Sequence, residues 1–302
     1  MIYSAELLKG KGYYYAFLAA LLFGASTPIS KYLLNEINSW LLAGLIYLGS
    51  AFGLIMIFFF RRYALNIKIN STLRPENRKW MAGSALLGGI ISPILLLSGL
   101  SKASATVTSL LLNFENIFTV VLAWLIFKEK IDRYTAYAIL FLILGSLTLA
   151  WADNINFNNS LGMLLIISAC FLWALENNMV KKIAMEDPVI LALIKSSVAG
   201  ITNITIGIML GGTMPPKLRI IMGASMVGII CYAFSMLFYI LALRYVGAAR
   251  TGAYSSFAPF IGACLSVLFL KENLSIQLII AGILMSCGIA FHFFKSHSEV
   301  TS

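Results

Sequence analysis

Acidic residues and histidine are what this sequence has least of: 12 Asp and Glu and two His in 302 residues. Charged residues of both signs make up only 11% of the chain. An ordinary soluble domain carries about 25%, so a single soluble core of this length is excluded. The two histidines, His292 and His297, stand together near the C-terminal end. Neither a GxSxG nucleophile elbow nor an HExxH zinc helix occurs, so an intramembrane hydrolase would lack its base or its metal. A phosphate-cradling GxxxxGK[ST] loop is missing too, and any active transport must then draw on an ion or substrate gradient. The four cysteines (Cys170, Cys231, Cys264 and Cys287) lie in apolar runs without CxxC spacing. That excludes a disulfide or zinc framework and makes them small apolar residues. No enzyme activity, cofactor, metal or catalytic residue is expected.

What is abundant is apolar surface: 60% of residues are hydrophobic and the mean hydropathy is +0.90. The net charge of +10 would suggest a nucleic-acid partner if the basic residues formed one stripe. Instead they sit in short clusters between apolar runs, as on the cytoplasmic face of a membrane protein. The first run follows Lys9 and Lys11 and looks at first like a signal peptide. Cleavage after Ala25 would set the bulky Phe23 where a small residue is needed, and the run continues past Pro28 to Leu34. It reads as a permanent helix.

A membrane span needs about 20 mostly apolar residues at a rise of about 1.5 Å each. That criterion predicts ten helices near 12–34, 40–60, 80–101, 104–127, 133–151, 160–181, 188–211, 217–243, 248–270 and 274–294. With a cytoplasmic N-terminus, 16 Lys and Arg fall on inside segments, among them Arg61, Arg62, Lys68, Arg74, Lys128, Lys130 and Arg250. Five (Lys31, Lys102, Lys217, Arg219 and Lys271) fall outside, and Lys195 lies within a span. This positive-inside bias places both termini, the short tails 1–11 and 295–302, in the cytoplasm.

The halves repeat. Gly12 to Lys31 aligns with Gly162 to Lys181 at a shift of 150, setting Phe23-Gly24-Ala25 on Trp173-Ala174-Leu175. Later, Phe127-Lys128-Glu129 matches Leu270-Lys271-Glu272 at a shift of 143, and Ala105, Thr108 and Phe114 match Ala248, Thr251 and Phe257. Five spans per half is an odd number, so the second half starts on the opposite side of the membrane. Residues 12–151 and 160–294 are thus expected to be inverted five-helix repeats, an architecture of secondary transporters.

The residues Ala19-Ala20-Leu21-Leu22-Phe23-Gly24 with Pro28 and Lys31, and the helix ends Ala123-Trp124-Leu125-Ile126-Phe127-Lys128-Glu129 and Leu268-Phe269-Leu270-Lys271-Glu272, carry a resemblance. Over about 12–294 the chain resembles the EamA family of the drug/metabolite transporter superfamily. The resemblance implies an all-α membrane protein of 5+5 inverted helices around a central cavity open to one side at a time, in a plasma (inner) membrane. It implies export of amino acids, drugs or other metabolites, with the fifth and tenth helices (133–151 and 274–294) away from the cavity. Glu115 and the Glu176-Asn177-Asn178 run depart from the commonest family pattern.

Charges inside spans are the most informative residues. Glu115 falls about 17 Å into the fourth predicted helix, near mid-membrane. A charge there costs roughly 2.5–3.5 kcal/mol to insert and should face protein or water. Thr108, Glu115 and Thr119 share a helical face by seven- and four-residue spacing. Glu115 reads as a ligand for a substrate cation or a proton carrier, the alternative being a hydrogen-bonded carboxyl joining helices. Glu176 and Lys195 lie at similar depth on consecutive antiparallel helices, as a structural ion pair or one that opens during gating. Pro28, Pro93 and Pro259 each free a carbonyl one turn back, at Gly24, Gly89 and Ser255. Each marks either a hinge beside the cavity or a packing kink. Tyr232, Ser235 and Tyr239 share a face of the eighth helix and, with Trp173 one turn before Asn177, form either an organic-substrate lining or plain packing. Gly49xxxGly53 and Gly207xxxGly211 mark close helix contacts.

Together these residues predict a secondary transporter of a small organic metabolite or drug, an exporter with protons as the coupling ion. Its partners would be a small-molecule substrate and the lipid bilayer, with no nucleic acid. A nucleotide-sugar-type exchanger of the same superfamily and an uncoupled channel or scaffold are the alternatives.

Overall fold

The computed structural model describes residues 2–64, 73–128, 133–152, 157–183, 186–211, 217–246, 251 and 254–298. The described residues contain helix and no strand. In chain order the helices are α1 (Ile2–Leu33), α2 (Ser39–Phe59), α3 (Arg78–Ser84), α4 (Ser92–Lys102), α5 (Ala105–Leu111), α6 (Phe114–Phe127) and α7 (Arg133–Ala152). Then follow α8 (Phe157–Val180), α9 (Pro188–Gly211), α10 (Leu218–Val227), α11 (Ser235–Val246), α12 (Ala258–Leu270) and α13 (Ile276–Ser298).

Seven helical stretches among the described residues are long and apolar enough to cross a membrane: Lys11–Leu33, Ser39–Tyr63, Pro75–Lys102, Ala105–Ile126, Ser160–Ile183, Pro188–Leu210 and Leu218–Val246. The other three predicted spans coincide with α7, α12 and α13. Part of the predicted ninth span, 248–250 and 252–253, lies outside the described residues, as do Lys68, Glu129, Lys130 and Arg250. Large side chains such as Met209 and Phe269 are more than 70% exposed. Lipid rather than water is the solvent that such a surface fits.

Helix ends follow local chemistry. Asn38 and Ser104 cap α2 and α5 by accepting from the Leu41 and Val107 amides at 2.9 and 3.1 Å. Asp187 caps α9 from outside the span, accepting from Val189 N at 2.9 Å, and takes a bidentate bond from Arg61 at 2.8–2.9 Å. Burial opposes its charge, yet the Arg61 guanidinium and these amides hold its carboxyl below the usual range. The α1 helix begins at Ile2 rather than near 12, because nothing in Lys9-Gly10-Lys11 stops it.

Three predicted spans are not uniform helices. The third and eighth each contain a wide π turn, at Ala85–Ile91 and Gly228–Phe234. The fourth is broken at Leu112 and Asn113, where Asn113 N and Glu115 N bond to carbonyls three residues back. That tight turn separates Thr108 from the helix carrying Glu115, so the continuous face expected for Thr108, Glu115 and Thr119 is corrected to Glu115 and Thr119 alone. Thr108 is fully buried and spends its hydroxyl on Ser104 O at 2.8 Å.

Packing is closest where glycines stand. The α2 helix lies along α9 and α10. A Cβ at Gly200 would meet Leu48 at 2.7 Å, and one at Gly49 would press into the Ser225 backbone. The α1 helix packs between α11 and α12, α4 and α6 pack on α8, and α13 packs on α7.

Candidate functional site

The polar centre grows from the π turn at Ala85–Ile91. An i→i+5 turn widens the helix and leaves carbonyls without an in-helix donor. Gly88 O accepts from Tyr47 OH at 3.1 Å and from Trp173 Nε1 at 3.0 Å. Gly89 O, the carbonyl that Pro93 frees, accepts from Asn203 Nδ2 at 3.2 Å. The same turn sets Gly88 against Glu176, where any Cβ would fall on the carboxylate. A side chain there would have to push the carboxylate away from its present place.

Glu176, buried on α8, accepts from Lys195 Nζ at 2.6 Å and Ser84 Oγ at 2.7 Å. The ammonium of α9 thus neutralises the carboxylate of α8, and a hydroxyl of α3 occupies one of its lone pairs. Glu115 has a different setting. It accepts only from Asn177 Nδ2, at 2.8 Å, and makes no ion pair among the described residues. Asn177 is exposed and also lies 3.4 Å from Thr119 Oγ1, whose hydroxyl donates to Glu115 O at 2.7 Å. Buried Asn178 braces this seam, donating to Thr119 O and Ala174 O at 3.2 and 2.9 Å.

The two carboxylates belong to one electrostatic environment: Glu115 feels both Glu176 and Lys195, and Tyr47 feels both acids. Two acids share one lysine, so with all three ionised the centre carries one uncompensated negative charge. Aromatic rings adjoin it. The Tyr47 ring lies 6.0 Å from that of Tyr232 in the second π turn, and Tyr232 lies 5.8 Å edge-on from Phe23.

Other candidates stand apart. Ser235 is buried and donates to Ala19 O at 3.0 Å, and Tyr239 is 36% exposed on α11. Pro28 lies inside α1, while Pro93 and Pro259 sit in the first turns of α4 and α12. The freed Gly24 carbonyl faces Gly262, whose Cβ would meet it at 2.8 Å. Sequence reasoning missed Tyr47, Ser84, Gly88 and Asn203. The Gly88-Gly89 pair before Pro93, and an Asn two turns beyond Lys195, were the available signals.

The comparisons agree with this picture. The EamA-like transporter family matches residues 10–151 and again 160–294. An uncharacterized transporter of Methanothermobacter thermautotrophicus is 28% identical over 295 residues, spanning 92% of this chain and 84% of that protein. An uncharacterized transporter of Synechocystis sp. is 27% identical over 206 residues, 62% of this chain and 58% of that one. A solved crystal structure superposes with a TM-score of 0.70 at 16% identity, covering 94% of this chain and 96% of its own, which shows a shared fold. Two matches that cover nearly the whole chain, on a multi-pass helical protein, leave one assignment: the chain belongs to the EamA-like transporter family and is a membrane transporter.

Proposed function

We propose that this transporter exports a small organic metabolite or drug, an amino acid or related compound, by alternating access of two inverted five-helix repeats, 12–151 and 160–294. Both termini face the cytoplasm of a plasma (inner) membrane. Support for the repeat comes from features found twice at the shift of 143 that aligned the sequence. The π turns Ala85–Ile91 and Gly228–Phe234 obey it, and so do the left-handed residues Lys128 and Lys271, with φ of 55° and 53°.

Glu115 carries the coupling proton in this reading. The observation behind it is the contrast in partners: Glu176 is balanced by Lys195, whereas Glu115 has one neutral amide. A lone carboxylate among apolar helices gains or loses a proton as its surroundings change, which is what coupling needs. A phosphate-bearing substrate fits less well, because Lys31, Arg61 and Lys195 already hold internal partners.

Flux in proteoliposomes under an imposed pH gradient tests this, with amino acids, amines and cationic dyes offered in turn. One class should move protons through wild type by a saturable, competable route and not through Glu115→Gln. Equal coupled flux in the variant would remove Glu115 from the coupling step. Flux that neither saturates nor competes would replace the carrier with a channel.

A further inference from the structure

A second site lies at the side of the bundle, away from the polar centre. The α13 helix packs on α7 rather than on its neighbour α12. The gap between α5, α12 and α13 is a cavity of about 560 Å³. Its walls include Leu110, Phe260, Val267, Leu278, Ile279 and Ile283. Two hydroxyls line it, and both are already engaged: Thr106 Oγ1 with Glu272, and Ser286 Oγ with Gly282 O at 2.8 Å. An occupant therefore meets hydrocarbon and two weakly polar thiols, Cys264 and Cys287, with both hydroxyl protons already donated, which disfavours a polar metabolite and suits an alkyl chain.

One end of the groove carries charge. Leu268 and Leu274 line it, and between them in the chain stand Lys271 and Glu272. Glu272 is turned inward, accepting from Ala105 N at 2.7 Å and Thr106 N at 2.8 Å at the start of α5. Lys271 is exposed and makes no ion pair among the described residues. An apolar slot beside a lone ammonium, at the end where its helix stops, matches the two parts of an anionic phospholipid.

We propose that this lateral groove is a binding site for an anionic phospholipid, one acyl chain lying between α12 and α13 and the headgroup meeting Lys271. The inference depends on the membrane setting of these helices and not on the transport reading. Gly282 gives a clean probe, since a Cβ there meets nothing within 4 Å and a larger side chain grows into the open space.

Native mass spectrometry of the purified chain, offered equal phosphatidylglycerol and phosphatidylcholine, tests it. Wild type should retain one lipid, with phosphatidylglycerol preferred about fivefold, the effect of one lysine beside an anionic headgroup. Gly282→Leu should lose the lipid at an unchanged melting temperature, and Lys271→Gln should keep a lipid but lose the preference. Equal retention of both lipids by wild type overturns the headgroup assignment, and lipid retained by Gly282→Leu overturns the groove. A dimer that Gly282→Leu dissociates would give the groove to a second copy and overturn the proposal. Should that variant not fold, alkylation of the lining Cys264 and Cys287 in wild type with a long-chain maleimide must displace the lipid, and a retained lipid overturns the site.

Discussion

Glu176 and Glu115 are two carboxylates of one polar centre in opposite states of satisfaction. Glu176 is buried, paired with an ammonium at 2.6 Å, held by a serine and walled by a glycine that leaves no room for another group. Glu115 is joined by a single amide from a side chain that is itself exposed. The first is built to stay where it is, because its Oε1 holds both the ammonium and the hydroxyl while Gly88 closes against Oε2. The second keeps capacity in reserve. In a membrane interior an acid with spare capacity is a costly feature, and its persistence points to use rather than to stability. Stability should therefore reside in Glu176 and transport in Glu115, and substitutions can separate them.

The largest effect is expected from Lys195→Met. Removing one partner of a buried pair strands the other and costs about 3–5 kcal/mol. The melting temperature in detergent should fall sharply, and adding Glu176→Gln should restore most of it, since no charge is then left stranded. If the double variant melts as low as the single, the pair is held for packing and the contrast with Glu115 weakens.

Asp187 sharpens the comparison from outside the span, being a paired carboxylate at a helix start. Asp187→Asn should cost about 2 kcal/mol at neutral pH, the scale of hydrogen bonds to a charged group. Its carboxyl is held below the ordinary range, so its contribution is present above the unfolded value of about 4 and is lost as pH falls through the folded one. Wild type and variant melting temperatures should converge on acidification. A constant gap across that window would mean that the charge of Asp187 contributes nothing.

Both acids of the centre were legible in the sequence. Glu176 and Lys195 sit at matching depths on consecutive antiparallel helices, and helical rise fixes depth. Glu115 and Thr119 are four apart on an unbroken helix, and their contact follows from that spacing. Thr108 was misread because the turn at Leu112 and Asn113 contains neither Gly nor Pro to announce it. The π turns were equally silent. One extra residue in a helical turn rotates everything beyond it, so the approach of Gly88 to Glu176, Tyr47 and Trp173 is a matter of three-dimensional register. Periodicity read along a single helix carries no such information.

The smallest effect on stability should come from Glu115→Gln, and its smallness is the point. The glutamine carbonyl still accepts from Asn177, so one charge-assisted bond becomes a neutral one, a loss of about 1 kcal/mol or less. No ion pair is broken, and the hydroxyl of Thr119 keeps its backbone acceptor. A melting temperature close to wild type, measured beside the large fall of Lys195→Met, would establish that the centre holds one carboxylate for the fold and another for a different purpose. A fall as large as that of Lys195→Met would instead make Glu115 a second structural anchor. The polar centre would then lack its uncommitted acid, and proton coupling would have to be sought at another residue.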